Sequence, residues 1–182
     1  MPATTSNHQI TIATAAQMHH FGERLGQLLH AGDLVLLAGE LGAGKTTLTR
    51  GIGDGLQVRG PITSPTFVLA RTHPSLGAGP ALVHVDAYRL QDSGELEDLD
   101  LDFERSVVIA EWGAGLVDAA SVTLEIVITR ATGANLPAAQ DAACWDEVDS
   151  DEPRQLQLRV HAPRLQNTDF AALAAEFDEE QA

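Results

Sequence analysis

The sequence predicts an α/β protein with a mixed, mostly parallel sheet, flanking helices and a late antiparallel hairpin. In the first part of the chain, short apolar runs alternate with helix-compatible stretches, as in sheets whose parallel strands are joined by helices. Later, two segments alternate apolar and polar residues, as half-exposed antiparallel strands do. A length of 182 residues suits one hydrophobic core, so a single domain is expected over residues 1–182.

The first helix is predicted to begin at Thr14. Thr14 and Gln17 form a capping box, in which the hydroxyl accepts from an early backbone N–H and the glutamine reaches back. Apolar residues then recur at helical spacing until Gly32 ends the pattern. They are Met18, Phe21, Leu25, Leu28 and Leu29.

Four apolar runs are typical of strands. They are LVLLA at 34–38, TFVLAR at 66–71, ALVHVD at 81–86 and SVVIAEW at 106–112. Helix-compatible stretches at 44–56 and 94–104 separate some of these runs. This order predicts parallel strands in one sheet.

The late hairpin is predicted from residues 121–130 and 154–162. Residues 131–152 between them hold six acidic residues and no basic one, which predicts a mobile insertion. Its Cys144 and Trp145 form either a docking element or, more simply, part of a solvated loop. The tail at 171–182 is predicted as a short surface helix or a frayed end.

The charge balance disfavours nucleic acid as a direct ligand. The chain has 26 acidic and 11 basic residues and a formal net charge of -15, which opposes binding to a phosphate backbone. The single cysteine cannot form an internal disulfide. The N-terminal sequence lacks the pattern of a secretory signal, and no apolar run is long enough to cross a bilayer. We therefore expect a cytoplasmic protein without membrane contact.

A phosphate-binding loop is predicted at GELGAGKT, residues 39–46. The motif fits G-x-x-x-x-G-K-[ST] in full, between an apolar strand and a helix-forming segment. Its glycines let successive backbone N–H groups converge on phosphate oxygens. Lys45, the only lysine of the chain, can follow the β- and γ-phosphates, and the Thr46 hydroxyl can bind Mg²⁺. The complete motif argues against a ligand-free glycine turn.

Two acidic residues are candidates for binding the metal or orienting the attacking water. Asp86 ends ALVHVD and Glu111 ends SVVIAE, so both are expected at the sheet edge that carries the phosphates. An ordinary solvent-facing acid is the alternative for each. SPTF at 64–67 could sense the γ-phosphate or form a simple turn. Arg89 is a phosphate clamp or a packing arginine, and His84 is predicted to be a core histidine rather than a ligand.

In order and spacing, GELGAGKTTLTRG, SPTF, HVDAYRL and VVIAEWG resemble the TsaE (YjeE) family of small bacterial P-loop ATPases. The resemblance covers residues from about 12 to 130 and resumes near Arg154. It implies a P-loop NTPase-type domain and a Mg²⁺-dependent ATPase needed to form threonylcarbamoyladenosine at position 37 of tRNA. Such an ATPase acts on a complex of TsaD, the transferase subunit, with TsaB, and does not itself transfer the group.

The resemblance also implies roles for single residues. Asp86 would lie near nucleotide and metal, and Glu111 would be the metal-linked or catalytic glutamate. Thr14 would lie near the base and Arg154 would reach the nucleotide. The full implied ATP-binding set is Thr14, Leu41, Gly42, Ala43, Gly44, Lys45, Thr46, Thr47, Asp86, Trp112 and Arg154, with Thr46 and Glu111 on the metal and Glu111 and Asp86 in catalysis.

The chain departs from the family pattern at EWG, where EWP is commoner, at Asp100, where glycine is frequent, and in the acidic insertion. Two alternative functions stay open. A small-molecule kinase would use the same loop, but no arginine cluster follows the P-loop helix to neutralise the transferring phosphate. The second alternative is a nucleotide-gated assembly factor, in which nucleotide binding matters more than turnover. Slow hydrolysis would be sufficient for that role.

Overall fold

A β-sheet flanked by helices forms the frame of the protein in a computed structural model, which describes residues 5–65, 68–89, 102–111, 117, 119–130 and 152–175. The strands are β1 Ser6–Ile12, β2 Leu34–Gly39, β3 Ala70–His73, β4 Ala81–Asp86, β5 Ser106–Glu111, β6 Leu124–Arg130 and β7 Arg154–Val160. The α-helices of this part are α1 Ala15–Gly26, α2 Lys45–Gly55 and α3 Phe170–Ala175.

The described strands form one sheet in the order β1-β7-β6-β2-β5-β4-β3. Strands β6, β2, β5 and β4 pair side by side in parallel. Strands β7, β1 and β3 join them through antiparallel pairs. Five of these seven strands therefore point the same way, and the predicted mixed, mostly parallel sheet with its late hairpin is confirmed.

Strand β2 is apolar throughout because both of its faces are covered. In β2, Val35 and Leu37 belong to the core cluster that includes α1 and α2, whereas Leu34 and Leu36 belong to a second cluster on the other face. Strands β6 and β7 alternate between buried and more exposed positions. The two kinds of sequence pattern thus correspond to strands covered on two faces and on one.

Helix α1 begins where the capping box predicts. The Thr14 hydroxyl accepts from the Gln17 N–H at 3.1 Å, and the Gln17 side-chain oxygen accepts from the Ala13 N–H at 2.7 Å. The first bond satisfies an amide group that the first helical turn leaves without a partner, and the second ties the residue before the N-cap to the helix. The local sequence therefore fixes where the chain turns from β1 into α1.

The predicted continuation of α1 toward Gly32 is wrong. Beyond Gly26, the Leu28 N–H bonds to the Leu25 carbonyl at 2.9 Å and the Leu29 N–H bonds to the Gly26 carbonyl at 3.2 Å. Such tight turns keep successive leucines directed at the core. Leucine spacing therefore looks helical past the point where the α-helix ends.

The edge strands differ most from the prediction. Strand β1 was not predicted, and it depends on pairing with β7. The strand predicted at 66–71 is wrong in position, because Val68 and Leu69 lie in a turn and Leu69 has φ 64°, so that β3 begins only at Ala70. Most of the helix predicted at 94–104, and the insertion up to residue 151, lie outside the described residues.

The beginning of the C-terminal tail belongs to the core. The Phe170 ring of α3 meets the His8 ring of β1 edge-on at 5.0 Å, and Phe170 is fully buried. The Gln17 side chain donates to the Ala174 carbonyl at 2.8 Å. As far as residue 175, the tail is therefore the short helix of the first alternative, with one face packed on the core and the other exposed. Among the described helices, none combines the length and hydrophobicity that crossing a membrane requires.

Helices α1 and α2 cross in close contact because glycines lie on both sides of the crossing. A Cβ on Gly22 would lie 2.5 Å from the Leu48 carbonyl oxygen, and one on Gly51 would overlap the His19 carbonyl oxygen. Real side chains do not approach backbone atoms so closely, so either substitution must push the helices apart. The crossing sets the position of α2, the helix that begins inside the phosphate-loop motif.

We expect Gly51→Ala to lower the free energy of unfolding by about 2 kcal/mol, because overpacking this crossing outweighs the better helix propensity of alanine. Chemical denaturation measures the change. Gly77→Ala is the matched control, because a Cβ there meets no heavy atom within 4 Å. Equal losses in both variants would contradict the packing role of Gly51.

Candidate nucleotide-binding site

The carboxyl ends of three parallel strands meet at one edge of the sheet and carry the predicted site. The loop 39–46 begins at the last residue of β2, Asp86 is the last residue of β4 and Glu111 is the last residue of β5. Asp86 and Glu111 are register partners, so their side chains leave the same face of the sheet. Each is only 5% exposed, unlike the solvent-facing acids of the alternative interpretation.

The loop backbone adopts a conformation that requires glycine. Gly42 has φ 73° and Gly44 has φ 105°, values that are costly for residues with a Cβ. Helix α2 begins directly after Gly44, and no side chain caps its N-terminus. This N-terminus is suited to an anionic ligand, because the first amide groups of a helix point out of it.

The Lys45 side chain is buried and folds back along the loop. Its Nζ donates to the Gly39 carbonyl at 2.9 Å and to the Glu40 carbonyl at 3.1 Å, and lies 3.9 Å from Glu111 Oε2. A compact ammonium fits between these oxygens, whereas the planar fork of an arginine needs more room. The geometry therefore accounts for a lysine at this position of a chain that otherwise uses arginine in place of lysine.

Glu111 lies between Lys45 and a buried histidine. Its Oε1 is 2.8 Å from His84 Nε2, and its Oε2 is the oxygen nearer to Lys45. His84 is fully buried on β4 and is a core histidine, as predicted. Its contact with Glu111 was not predicted, because nothing in HVD or AEW indicates which side chains meet across two strands.

Asp86 is held by the turn that follows β4. Its Oδ1 accepts from the Tyr88 N–H at 3.1 Å, and its own N–H donates to the Leu69 carbonyl at 2.8 Å. Within the described residues, Glu111 is the one of the two acids that forms an ion pair with Lys45. The sequence alone left the two acids equivalent.

Two arginines of the late hairpin contact the phosphate loop. Arg130 Nη2 donates to the Gly42 carbonyl at 3.1 Å, and Arg154 Nε donates to the Ala43 carbonyl at 3.3 Å. The two arginines stand opposite each other in the β6–β7 register. Pairing across the hairpin thus brings two arginines to the loop, where both donate to loop carbonyls. Arg130 was missed, and its only signal was its place at the end of a predicted hairpin strand.

The remaining predicted site residues differ in their exposure, and some lie outside the described residues. Thr14 uses its hydroxyl to cap α1. Leu41 is 82% exposed at the tip of the loop, whereas Thr46 and Thr47 are buried at the start of α2. Outside the description lie Trp112, Thr66 and Phe67 of SPTF, and the side chain of Arg89.

The donors at this edge fit a magnesium ion that is bound jointly with a nucleotide. In the described part of the chain, no three His, Cys, Asp or Glu side chains cluster in a way that could hold a metal ion. The edge offers instead the Thr46 hydroxyl and the carboxylates of Asp86 and Glu111. Mg²⁺ commonly takes one or two carboxylates together with phosphate oxygens and water, so this set suits it once phosphates are present.

Comparison with known proteins identifies the family. The sequence model described as "Threonylcarbamoyl adenosine biosynthesis protein TsaE" matches residues 12–136. The chain belongs to the TsaE family. A relative from Streptomyces coelicolor is 62% identical over 120 residues, which are 64% of this chain and 81% of that protein. A relative from Mycobacterium bovis is 54% identical over 106 residues, which are 53% of this chain and 63% of that protein. Both relatives are named tRNA threonylcarbamoyladenosine biosynthesis protein TsaE.

The fold of this TsaE chain is similar to that of YdiB from Bacillus subtilis. Its crystal structure aligns with a TM-score of 0.60 over 98% of this chain and 99% of that chain, at 21% sequence identity. At that identity the similarity concerns the fold alone. The family model thus confirms the predicted family, and the structural similarity confirms the predicted α/β fold. Arg154 lies beyond the segment that matches the family model, and its pairing with β6 brings it to the loop.

Proposed function

We propose that this TsaE chain is a Mg²⁺-dependent ATPase that supports threonylcarbamoyladenosine formation at position 37 of tRNA by acting on a complex of the TsaD and TsaB proteins. The main support for the ATPase proposal is the position of Lys45. Its Nζ donates to two loop carbonyls and lies 3.9 Å from Glu111. The tRNA modification is carried by the names of the relatives. The two partners follow from the family resemblance.

The loop and the N-terminus of α2 would bind the phosphates of ATP. Lys45 is already directed along the loop, so little side-chain entropy would be lost when it meets the β- and γ-phosphates. The Thr46 hydroxyl with Glu111 and Asp86 would hold Mg²⁺. When bound, the ion neutralises charge that develops on the transferring phosphate.

Glu111 is the better of the two candidates for orienting the attacking water. Its Oε1 is engaged by His84, whereas its Oε2 is 3.9 Å from Lys45, which is beyond hydrogen-bond distance. A carboxylate held in this way presents one oxygen toward the place where the phosphates would lie. Asp86, which uses Oδ1 to fix its own turn, would serve only the metal, which Glu111 would share.

We expect Arg130→Met to raise the Kd for ATP about fivefold. The substitution removes the hydrogen bond to the Gly42 carbonyl, and a loop that is less ordered before binding loses about 1 kcal/mol of affinity. Titration calorimetry measures the change. Arg159→Met is the control, because Arg159 bonds Glu125 on the hairpin surface. An unchanged Kd in the Arg130 variant would contradict the role of this contact.

The deciding experiment is the ATPase rate of the purified chain with and without purified TsaD and TsaB. We expect the partners to raise the rate severalfold, and the Lys45→Ala chain to show no rate in either case. A rate indifferent to both partners, together with phosphate transfer to a small molecule, would favour the kinase. Partner binding that needs ATP but no turnover would favour the nucleotide-gated assembly factor.

A further inference from the structure

The buried side chains beneath the site follow the alternation of β4 and β5. On the face covered by α2, β4 presents Leu82 and then His84, and β5 presents Val107, Ile109 and finally Glu111. His84 is the register partner of Ile109, one side-chain step below Glu111. Its ring therefore reaches Glu111 diagonally, which explains the 2.8 Å contact between Nε2 and Oε1.

Within the described residues, the His84 ring makes one hydrogen bond, and that bond is to Glu111. The residue is fully buried between its register partners Ile109 on β5 and Arg71 on β3, and its Nδ1 has no hydrogen-bond partner within the described residues. Nε2 can donate to the carboxylate only if it carries the ring proton, which leaves Nδ1 of a neutral ring as an unpartnered acceptor. An apolar side chain would fill this space without that cost. The hydrogen bond to Glu111 is thus the contact that a histidine adds here.

We infer that His84 is a positioning residue that fixes the Glu111 carboxylate. By binding Oε1, His84 selects one orientation of the carboxylate and keeps Oε2 at 3.9 Å from Lys45, where it can meet a water or a metal ion. Without that bond, no other contact within the described residues holds Glu111 away from a closer ion pair with Lys45. The inference rests on the proposed ATPase for its chemistry, and on the His84–Glu111 pair for its geometry.

Two substitutions of His84 with the same polarity and different reach test the inference. In His84→Gln the side-chain amide reaches about as far as Nε2, whereas in His84→Asn it ends near the place of Nδ1 and cannot meet Oε1. His73→Asn is the matched control, because His73 is a second buried histidine, on β3, that contacts the Arg59 carbonyl instead. Thermal unfolding and circular dichroism establish that each variant folds.

The readouts are kcat for ATP hydrolysis with TsaD and TsaB, the Kd for ATP, and the Mg²⁺ concentration that half-saturates ATP binding. We expect His84→Asn to lower kcat at least about tenfold and to raise the Mg²⁺ requirement, with the Kd at saturating Mg²⁺ within about threefold of wild type. His84→Gln should stay within about threefold of wild type in kcat. His73→Asn should lower the Tm and leave kcat unchanged.

Equal values of kcat and Mg²⁺ requirement in the Gln and Asn variants would overturn the positioning role. So would a loss in kcat by His73→Asn as large as that of His84→Asn, since burial alone would then explain both. A wild-type chain that binds ATP but does not hydrolyse it would end the proposed ATPase and leave the Mg²⁺ titration to decide on His84. A finding that the wild-type chain binds no ATP would overturn both proposals.

Discussion

Lys45→Ala is expected to abolish measurable ATP binding. The substitution removes the ammonium that bonds the Gly39 and Glu40 carbonyls, and it leaves Glu111 buried without this cation. An uncompensated buried carboxylate beside incoming phosphates is strongly unfavourable, so we expect a loss of at least about 100-fold in affinity. Titration calorimetry with ATP and Mg²⁺ measures it.

Two further variants separate charge, shape and general damage to α2. Lys45→Arg keeps the charge but brings a planar fork into a space held by two carbonyls, so it should also bind poorly. Arg50→Ala removes a cation from the same helix. The Arg50 Nε bonds the Ile62 carbonyl, so this variant should bind ATP normally. ATP binding by Lys45→Ala within about tenfold of wild type would contradict the role of Lys45.

Glu111→Ala is expected to leave ATP binding largely intact and to remove hydrolysis. In the proposed function, phosphate binding would depend on the loop and Lys45, whereas Glu111 would act on the water or the metal at the reacting end. We expect kcat to fall at least about 100-fold, with the Kd for ATP changed by less than about fivefold. Single-turnover hydrolysis beside equilibrium binding measures the two effects separately.

Asp86→Asn and Glu125→Gln complete this test. If Asp86 serves the metal, its variant should need more Mg²⁺ for binding and recover part of its rate when Mg²⁺ is raised. Glu125 contacts His161 and Arg159 on the hairpin, so its variant should hydrolyse ATP at the wild-type rate. Normal turnover by Glu111→Ala would remove Glu111 from catalysis.

The edge that carries the site was predictable because its signals are local. A complete loop motif between a strand and a helix placed Lys45, and acids at the ends of apolar runs placed Asp86 and Glu111. Parallel strands with one direction bring such ends together, and the structure has them at one edge. The family resemblance rested on these same stretches, which lie inside the matched segment 12–136.

The parts that were missed depend on contacts between distant residues. Arg130 reaches the loop because β6 pairs beside β2, and His84 meets Glu111 because β4 pairs beside β5. Strand β1 exists through its pairing with β7, the other side of the late hairpin. Neither a periodicity nor a short motif reports which strands are neighbours, so these features needed the folded arrangement.

Strand β1 has a practical consequence for any shortened form of the protein. The segment that matches the family begins at residue 12, which is the last residue of β1. A chain trimmed to that boundary would lose the buried Ile10, uncover Phe170 and expose the backbone of β7 as an open edge. Open edges recruit other chains, so the trimmed protein should tend to aggregate. Because β7 starts with Arg154, whose guanidinium holds the Ala43 carbonyl, the damage would extend to the phosphate loop.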